Sequence, residues 1–210
     1  MPRHFVGIVE RQIEQLIKLG YHQVANKSEL AFRETFNALL VDAARWMYDH
    51  DTSVRVLVII PQTMVPLAHQ LSKIWAPAPD HQTRNRPNSN TAHYGRGAIA
   101  DGHLSKFTEE AQQPYLIFDT DISRSGEDVG KLVTDIKTEL AEHGRRVLTP
   151  VELTALATHY PHKMSAGHFD FLGGDGKEMF FCSGTWELLA GSPIFHELRK
   201  NFVYATCRKT

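Results

Sequence analysis

The chain has 210 residues, 42% of them hydrophobic, with 23 Lys and Arg set against 24 Asp and Glu. That length supports a sizeable core in a single domain, and the even charge balance excludes a global field that would collect nucleic acid or an anionic membrane. The apolar runs all fall short of the roughly 18 to 20 residues that cross a bilayer, and two cysteines, Cys182 and Cys207, exclude a disulfide framework.

The sequence enters an amphipathic pattern at once. Val6, Val9, Ile13, Leu16 and Ile17 recur at helical spacing, with Glu10, Arg11, Glu14 and Lys18 on the other side. Gly20 follows where a C-terminal cap belongs. With no apolar signal-peptide core and no cleavage site after Met1, a soluble cytoplasmic protein is expected. Ser28 then reads as the N-cap of a second helix, whose buried stripe would be Phe32, Phe36, Leu39, Leu40, Ala43, Trp46 and Met47.

Residues 54–60 are almost continuously β-branched or apolar, broken by Arg55, which is the composition of a strand covered on both faces. Pro61 stops it, and Val65, Leu67, Leu71 and Ile74 predict a short helix behind it. From 76 to 102 the chain turns to Pro, Asn and Arg, and a mobile loop is expected there. Arg84, Arg86 and Arg96, with His93 and Tyr94, would clamp an anion if that loop folded over a site.

A second strand is predicted over 115–119, followed by a helix through Val129, Leu132, Val133, Ile136 and Leu140 that ends at Gly144, and a third short strand at 146–148. Thr149-Pro150-Val151-Glu152 is a helix start with Thr as N-cap, Pro at N1 and Glu closing a capping box. Tyr160-Pro161 ends that helix. Beyond Gly167 the signal turns to β: 169–172 and 178–182 flank Gly173-Gly174-Asp175-Gly176 as a hairpin, and 185–189 and 202–207 offer two more strands.

The predicted fold class is α/β or α+β, with an N-terminal helical pair, a short, mostly parallel sheet with flanking helices, and antiparallel strands in the C-terminal third. One domain over 1–210 is expected. Its parts are the helical pair (1–50), a β/α core (51–160) carrying the loop at 76–102, and a β-rich remainder (161–210).

Chemistry concentrates where the second strand ends. Tyr115-Leu116-Ile117-Phe118 runs into Asp119-Thr120-Asp121, then into Ser123, Ser125 and Gly126. Two carboxylates at a strand end suit a divalent cation, with Ser123 or Ser125 donating to a phosphate oxygen. The same residues would equally cap a helix or hold an Asx-turn. His159, His162 and His168 with Cys182 match zinc by residue type, but their spacing is not a ligand pattern, so surface or capping histidines are expected. Cys182 and Cys207 read as buried small hydrophobes.

Locally, the Asp-x-Asp string resembles the first motif of the haloacid-dehalogenase-like phosphatases, with Ser123 in place of the threonine. The resemblance implies Asp119 as nucleophile, Asp121 as general acid, Thr149 as a phosphate-binding hydroxyl, Lys163 as its charge partner, and Asp175 as a second acidic motif holding Mg²⁺. Asp175 follows Asp119 by 56 residues, less than the usual flap and intervening β/α unit require.

Over its whole length the chain resembles an uncharacterised bacterial family, domain of unknown function 5701. The likeness is carried by Val9-Glu10-Arg11-Gln12-Ile13 through Tyr21, by Val65-Pro66, by the strand end at 115–121, by Gly144-Arg145-Arg146-Val147-Leu148-Thr149-Pro150-Val151-Glu152, and by Thr158-His159-Tyr160-Pro161. It implies no reaction. The C-terminal third departs from it, with only 169–172, Trp186 and Cys207 echoing the family's strands.

The expected function is therefore a ligand- or partner-binding module with an acidic strand-end cleft, taking a small molecule or a protein. The alternative is a Mg²⁺-dependent phosphohydrolase or phosphotransferase using Asp119, Asp121 and Asp175. A third expectation is a scaffold or assembly subunit that presents the C-terminal strands as an edge.

Overall fold

A computed structural model describes residues 3–49, 55–74, 111–124, 131, 133–160, 170–171, 179–181, 188–190 and 202–208. The loop expected at 76–102 and the Gly173-to-Gly176 turn lie outside them.

Helix α1, Arg3–Lys18, buries Val9, Ile13, Leu16 and Ile17, the face its spacing marks as apolar. Gly20, at φ 81, turns the chain in the left-handed region that glycine enters without steric cost. A short helix, α2 (Tyr21–Val24), follows. Ser28 caps α3, Glu29–Glu34, accepting from the Ala31 amide at 3.1 Å. The long second helix expected from the sequence is broken here. The Thr35 hydroxyl donates to the Phe32 carbonyl, competing with the helical ladder, and α4 resumes at Asn37–Asp49. Phe32 and Phe36 nevertheless keep the buried stripe, their rings meeting edge to face at 5.1 Å.

Strand β1, Val56–Ile59, is covered on both faces as its composition demands. Leu57 and Ile59 enter a core with Ile117, Leu67, Leu71, Leu148, Leu153, Leu156, Ala205 and Cys207. Val56, Val58 and Ile60 enter a second core with Val9, Ile13, Leu16, Tyr21, Phe32 and Phe36. The alternation is the period of two inherent to a strand. Each such side chain contributes about 1.5 to 3 kcal/mol on burial. Helix α5, Leu67–Ile74, lies behind β1.

The mostly parallel sheet expected from the sequence is not formed. Strand β2, Tyr115–Phe118, pairs antiparallel with β1, with Val56 opposite Phe118 and Ile59 opposite Tyr115. A continuous apolar run reports two covered faces, not strand direction. Here one cover is the N-terminal helices, where a parallel sheet would use crossover helices on both sides. Next come strand β3, Asp121–Arg124, helix α6, Val133–Glu142, strand β4, Arg145–Val147, and helix α7, Pro150–His159. Gly144 turns α6 into β4 at φ 65. The full capping box is present at the start of α7, between Thr149 and Glu152.

The C-terminal third supplies β5 (Asp170–Phe171), β6 (Met179–Phe181), β7 (Leu188–Ala190) and β8 (Phe202–Arg208). Among the described residues β6 pairs antiparallel with β7 and β5 pairs with β8, and the glycine turn of the expected hairpin lies outside them. That β5–β8 ladder is the parallel pair among the described residues. Nor is β8 an edge: β3 lines one side of it, while β4 and β5 share the other. Residues 202–208 are thus the centre of the second sheet.

Candidate functional site

The chain leaves β2 in the first sheet and enters β3 in the second with only Asp119 and Thr120 between. Asp119 makes this change of direction at φ 53, a left-handed conformation that aspartate tolerates better than most residues. The Thr120 amide donates to the Arg55 carbonyl at 3.3 Å, one residue out of the β1–β2 register, and Asp121 then faces Thr206 of β8. Thr120 itself is 4% exposed, and its hydroxyl finds no partner among the described residues.

Arg145, the first residue of β4, holds this corner together. Its Nη1 donates to Asp119 Oδ2 at 2.6 Å and its Nη2 to the Asp119 carbonyl at 2.7 Å. Nε and Nη2 both reach Thr206 Oγ1, at 3.1 and 2.9 Å. The pair is half-buried, so these charge-assisted bonds are worth more than surface ones. Asp121 stands differently. Its carboxylate lies 3.8 Å from Arg55 Nη1, with 59% of the Asp121 side chain and 40% of the Arg55 side chain exposed. At that distance and exposure an ion pair contributes about 0 to 1 kcal/mol.

The remaining residues read from the sequence are placed as follows. Ser123 lies in β3 opposite Tyr204. The Thr149 hydroxyl accepts from the Glu152 amide at 3.3 Å, and the Thr149 amide donates to Glu152 Oε2 at 2.7 Å. Ser125, Lys163 and Asp175 lie outside the described residues, as do His162, His168 and Cys182. Among the described residues, no group of three or more His, Cys, Asp or Glu is arranged to hold a metal ion.

Behind the corner a second charged group is fully structural. Arg146 makes a two-pronged contact with Glu152, at 2.7 Å for each guanidinium nitrogen, and Tyr115 donates to the same carboxylate at 3.3 Å. Glu152 is 1% exposed. Its hydrogen bonds hold the Arg146 guanidinium charged well beyond its ordinary range. Burial pushes the neighbouring Cys207 thiol up to about 11, with Arg146 pulling the other way. A thiol so placed is an inert core group, in line with its apolar sequence context.

The sequence reading missed Arg145 and Thr206 as parts of the corner. A weak signal existed in Gly144-Arg145-Arg146-Val147: on a strand the two arginines face opposite sides, so each needs its own acid. It also missed the glutamines. Gln12 is 5% exposed on the buried face of α1; its Nε2 donates to the Val56 carbonyl and its Oε1 accepts from the Val58 amide, both at 2.8 Å. Gln70 continues that edge by donating to the Ile60 carbonyl at 2.9 Å. Gln15 reaches the Thr158 carbonyl at 2.7 Å and lies 3.3 Å from His159 Nδ1. Burial pushes the His159 imidazole down to about 4, opposed by an interaction with the Val58 backbone.

Fold and corner together define a protein of mixed helices and strands, built on antiparallel pairings, with a charged bend between two sheets. No helix among the described residues is long and apolar enough to cross a membrane. Compared with protein-family models, curated proteins and solved structures, the chain matches none of them.

Proposed function

We propose that the chain is a ligand- or partner-binding protein of the cytoplasm whose contact surface is the β2–β3 corner. Asp121 and Arg55 are the groups it offers, and Asp119 is held behind them. The observation that carries this reading is the contrast within one bend: an exposed acid and base 3.8 Å apart, mounted on a turn whose other acid is firmly anchored. A loose pair on a rigid base can be opened by a ligand at small cost, and rigid support keeps the geometry it meets. A ligand bearing one cationic and one anionic group matches it. Titrating ¹⁵N-labelled protein with β-alanine, a small zwitterion, tests the idea. Amide shifts centred on Arg55 and Asp121 are expected; shifts confined to other regions, or none at tens of millimolar, overturn it.

A Mg²⁺-dependent phosphohydrolase or phosphotransferase is the second reading. It is favoured by the two carboxylates at a strand end beside Arg145 and Arg55, since guanidinium groups neutralise phosphoryl oxygens. Asp119 and Asp121 would carry the chemistry, with Ser123, Ser125, Thr149 and Lys163 toward phosphate and Asp175 toward the metal. The Arg145 charge 2.6 Å from one carboxylate weighs against a dication there. If Mg²⁺ or Mn²⁺ raises the melting temperature of the native protein but not of Asp119→Asn or Asp121→Asn, this reading replaces the first. An unchanged melting temperature at millimolar metal, with no turnover of p-nitrophenyl phosphate, removes it. Membership of the uncharacterised bacterial family named above remains part of the proposal, resting on the ordered sequence fragments alone.

A further inference from the structure

We infer that Arg145 is the positioning residue of the corner: one guanidinium sets the left-handed turn at Asp119 and thereby the direction in which Asp121 and Arg55 meet a ligand. The inference rests on the binding role proposed above and deepens it.

The geometry is that of a clamp on three strands. From β4, the guanidinium reaches both the carboxylate and the main-chain carbonyl of Asp119, at the end of β2. Grasping the side chain and the backbone of one residue closes a ring that leaves its torsions little freedom. The same guanidinium reaches Thr206 in β8, the residue that stands opposite Asp121 in the β3–β8 ladder. The residue after the turn, Thr120, is tied to the Arg55 carbonyl. Both contact side chains therefore hang from backbone that Arg145 locks, although Arg145 is not proposed to touch the ligand. The clamp also sets the ligand class. By neutralising Asp119 it leaves Asp121 as the more exposed acid of the bend, beside the base Arg55. A zwitterionic group fits that surface better than a dication.

Lysine cannot substitute, because an ammonium is a point charge and cannot reach carboxylate, carbonyl and hydroxyl in a fixed plane. The test compares Arg145→Lys, Thr206→Val and Asp121→Asn with the native protein by ¹⁵N NMR, using β-alanine as the probe. In Arg145→Lys the Thr120 and Asp121 amide signals move or broaden in the free protein, the remaining spectrum stays folded, and the β-alanine shifts fall at least fivefold. Thr206→Val gives the same pattern in weaker form. Asp121→Asn loses the β-alanine shifts while the Thr120 amide keeps its place, which separates contact from positioning. Native Thr120 and Asp121 signals in Arg145→Lys overturn the inference. If β-alanine shifts nothing in the native protein, the binding role fails, and the free-protein signals still decide whether Arg145 sets the turn.

Discussion

Along the α1 side of β1, the Val56 carbonyl, the Val58 amide and the Ile60 carbonyl are met by neutral amides, those of Gln12 and Gln70, in a region closed to water. At the end of β2, polar groups are met by charged side chains that stay partly in water. The first region is a seal. A glutamine amide has the donor and acceptor of a peptide unit, so Gln12 occupies the place of a neighbouring strand and ends the sheet without an open edge. The second region is a bend between two sheets, and charge survives there because solvent still reaches it. Here the sealed side of β1 uses neutral pairs, whereas the bend keeps its charges accessible.

The sharpest way to break this comparison is Gln12→Ala. It strands the Val56 carbonyl and the Val58 amide in a buried place, where an unmet group costs about 1 to 3 kcal/mol. We expect a loss of about 3 kcal/mol in urea unfolding. A loss below about 1 kcal/mol would show that water or a neighbouring group replaces the amide and that the seal is not a seal.

The seal also contains the half-buried His159, and this gives a pH signature of similar size. The imidazole's folded value, about 4, lies below its ordinary 6.5. As pH falls past 6.5 the unfolded chain gains a proton there that the folded chain refuses, so stability is lost down to about pH 4 and levels off beneath. The gap corresponds to a loss on the order of 3 kcal/mol. Unfolding free energies at pH 7.5 and 4.5, compared between the native protein and His159→Gln, isolate it. Equal pH dependence in both proteins would place the effect elsewhere, for example at His69, which burial and Lys73 also push down.

How much of this was legible in the chain depends on how local each contact is. Thr149 and its box with Glu152 lie three residues apart, so the start of α7 could be read directly. The two-sided cover of β1 was equally plain, because five apolar residues in a row cannot face water. Strand direction was not, since the same composition serves either pairing. Gln12 was invisible for a different reason: a polar residue on an apolar stripe looks like noise until its partners, 44 and 46 residues away, are in place. Asp119 stood out at its strand end, yet its partner Arg145 is 26 residues distant and belongs to another sheet. What the sequence lacked was the crossing of two sheets at one bend.

Arg145→Ala brings the corner into the comparison with a smaller effect. It removes charge-assisted bonds from a half-buried carboxylate, and we expect about 2 kcal/mol of lost stability. Because this pair is partly solvated, 0.5 M NaCl should shrink the native-to-variant difference measurably. The Gln12 difference should not change with salt. If both differences respond alike, the distinction between sealed and accessible polar regions is lost.

The smallest effect is the most informative about function. Arg55→Ala removes a partner 3.8 Å from Asp121 and largely exposed, so stability should change by no more than about 0.5 kcal/mol. The Arg55 carbonyl that receives the Thr120 amide is main chain and survives the substitution. The variant should thus keep the native Thr120 and Asp121 amide signals and lose the β-alanine response. A destabilisation near that of Arg145→Ala would mean that Arg55 is part of the clamp itself. The corner would then resemble the sealed side of β1, a place built to hold two sheets together.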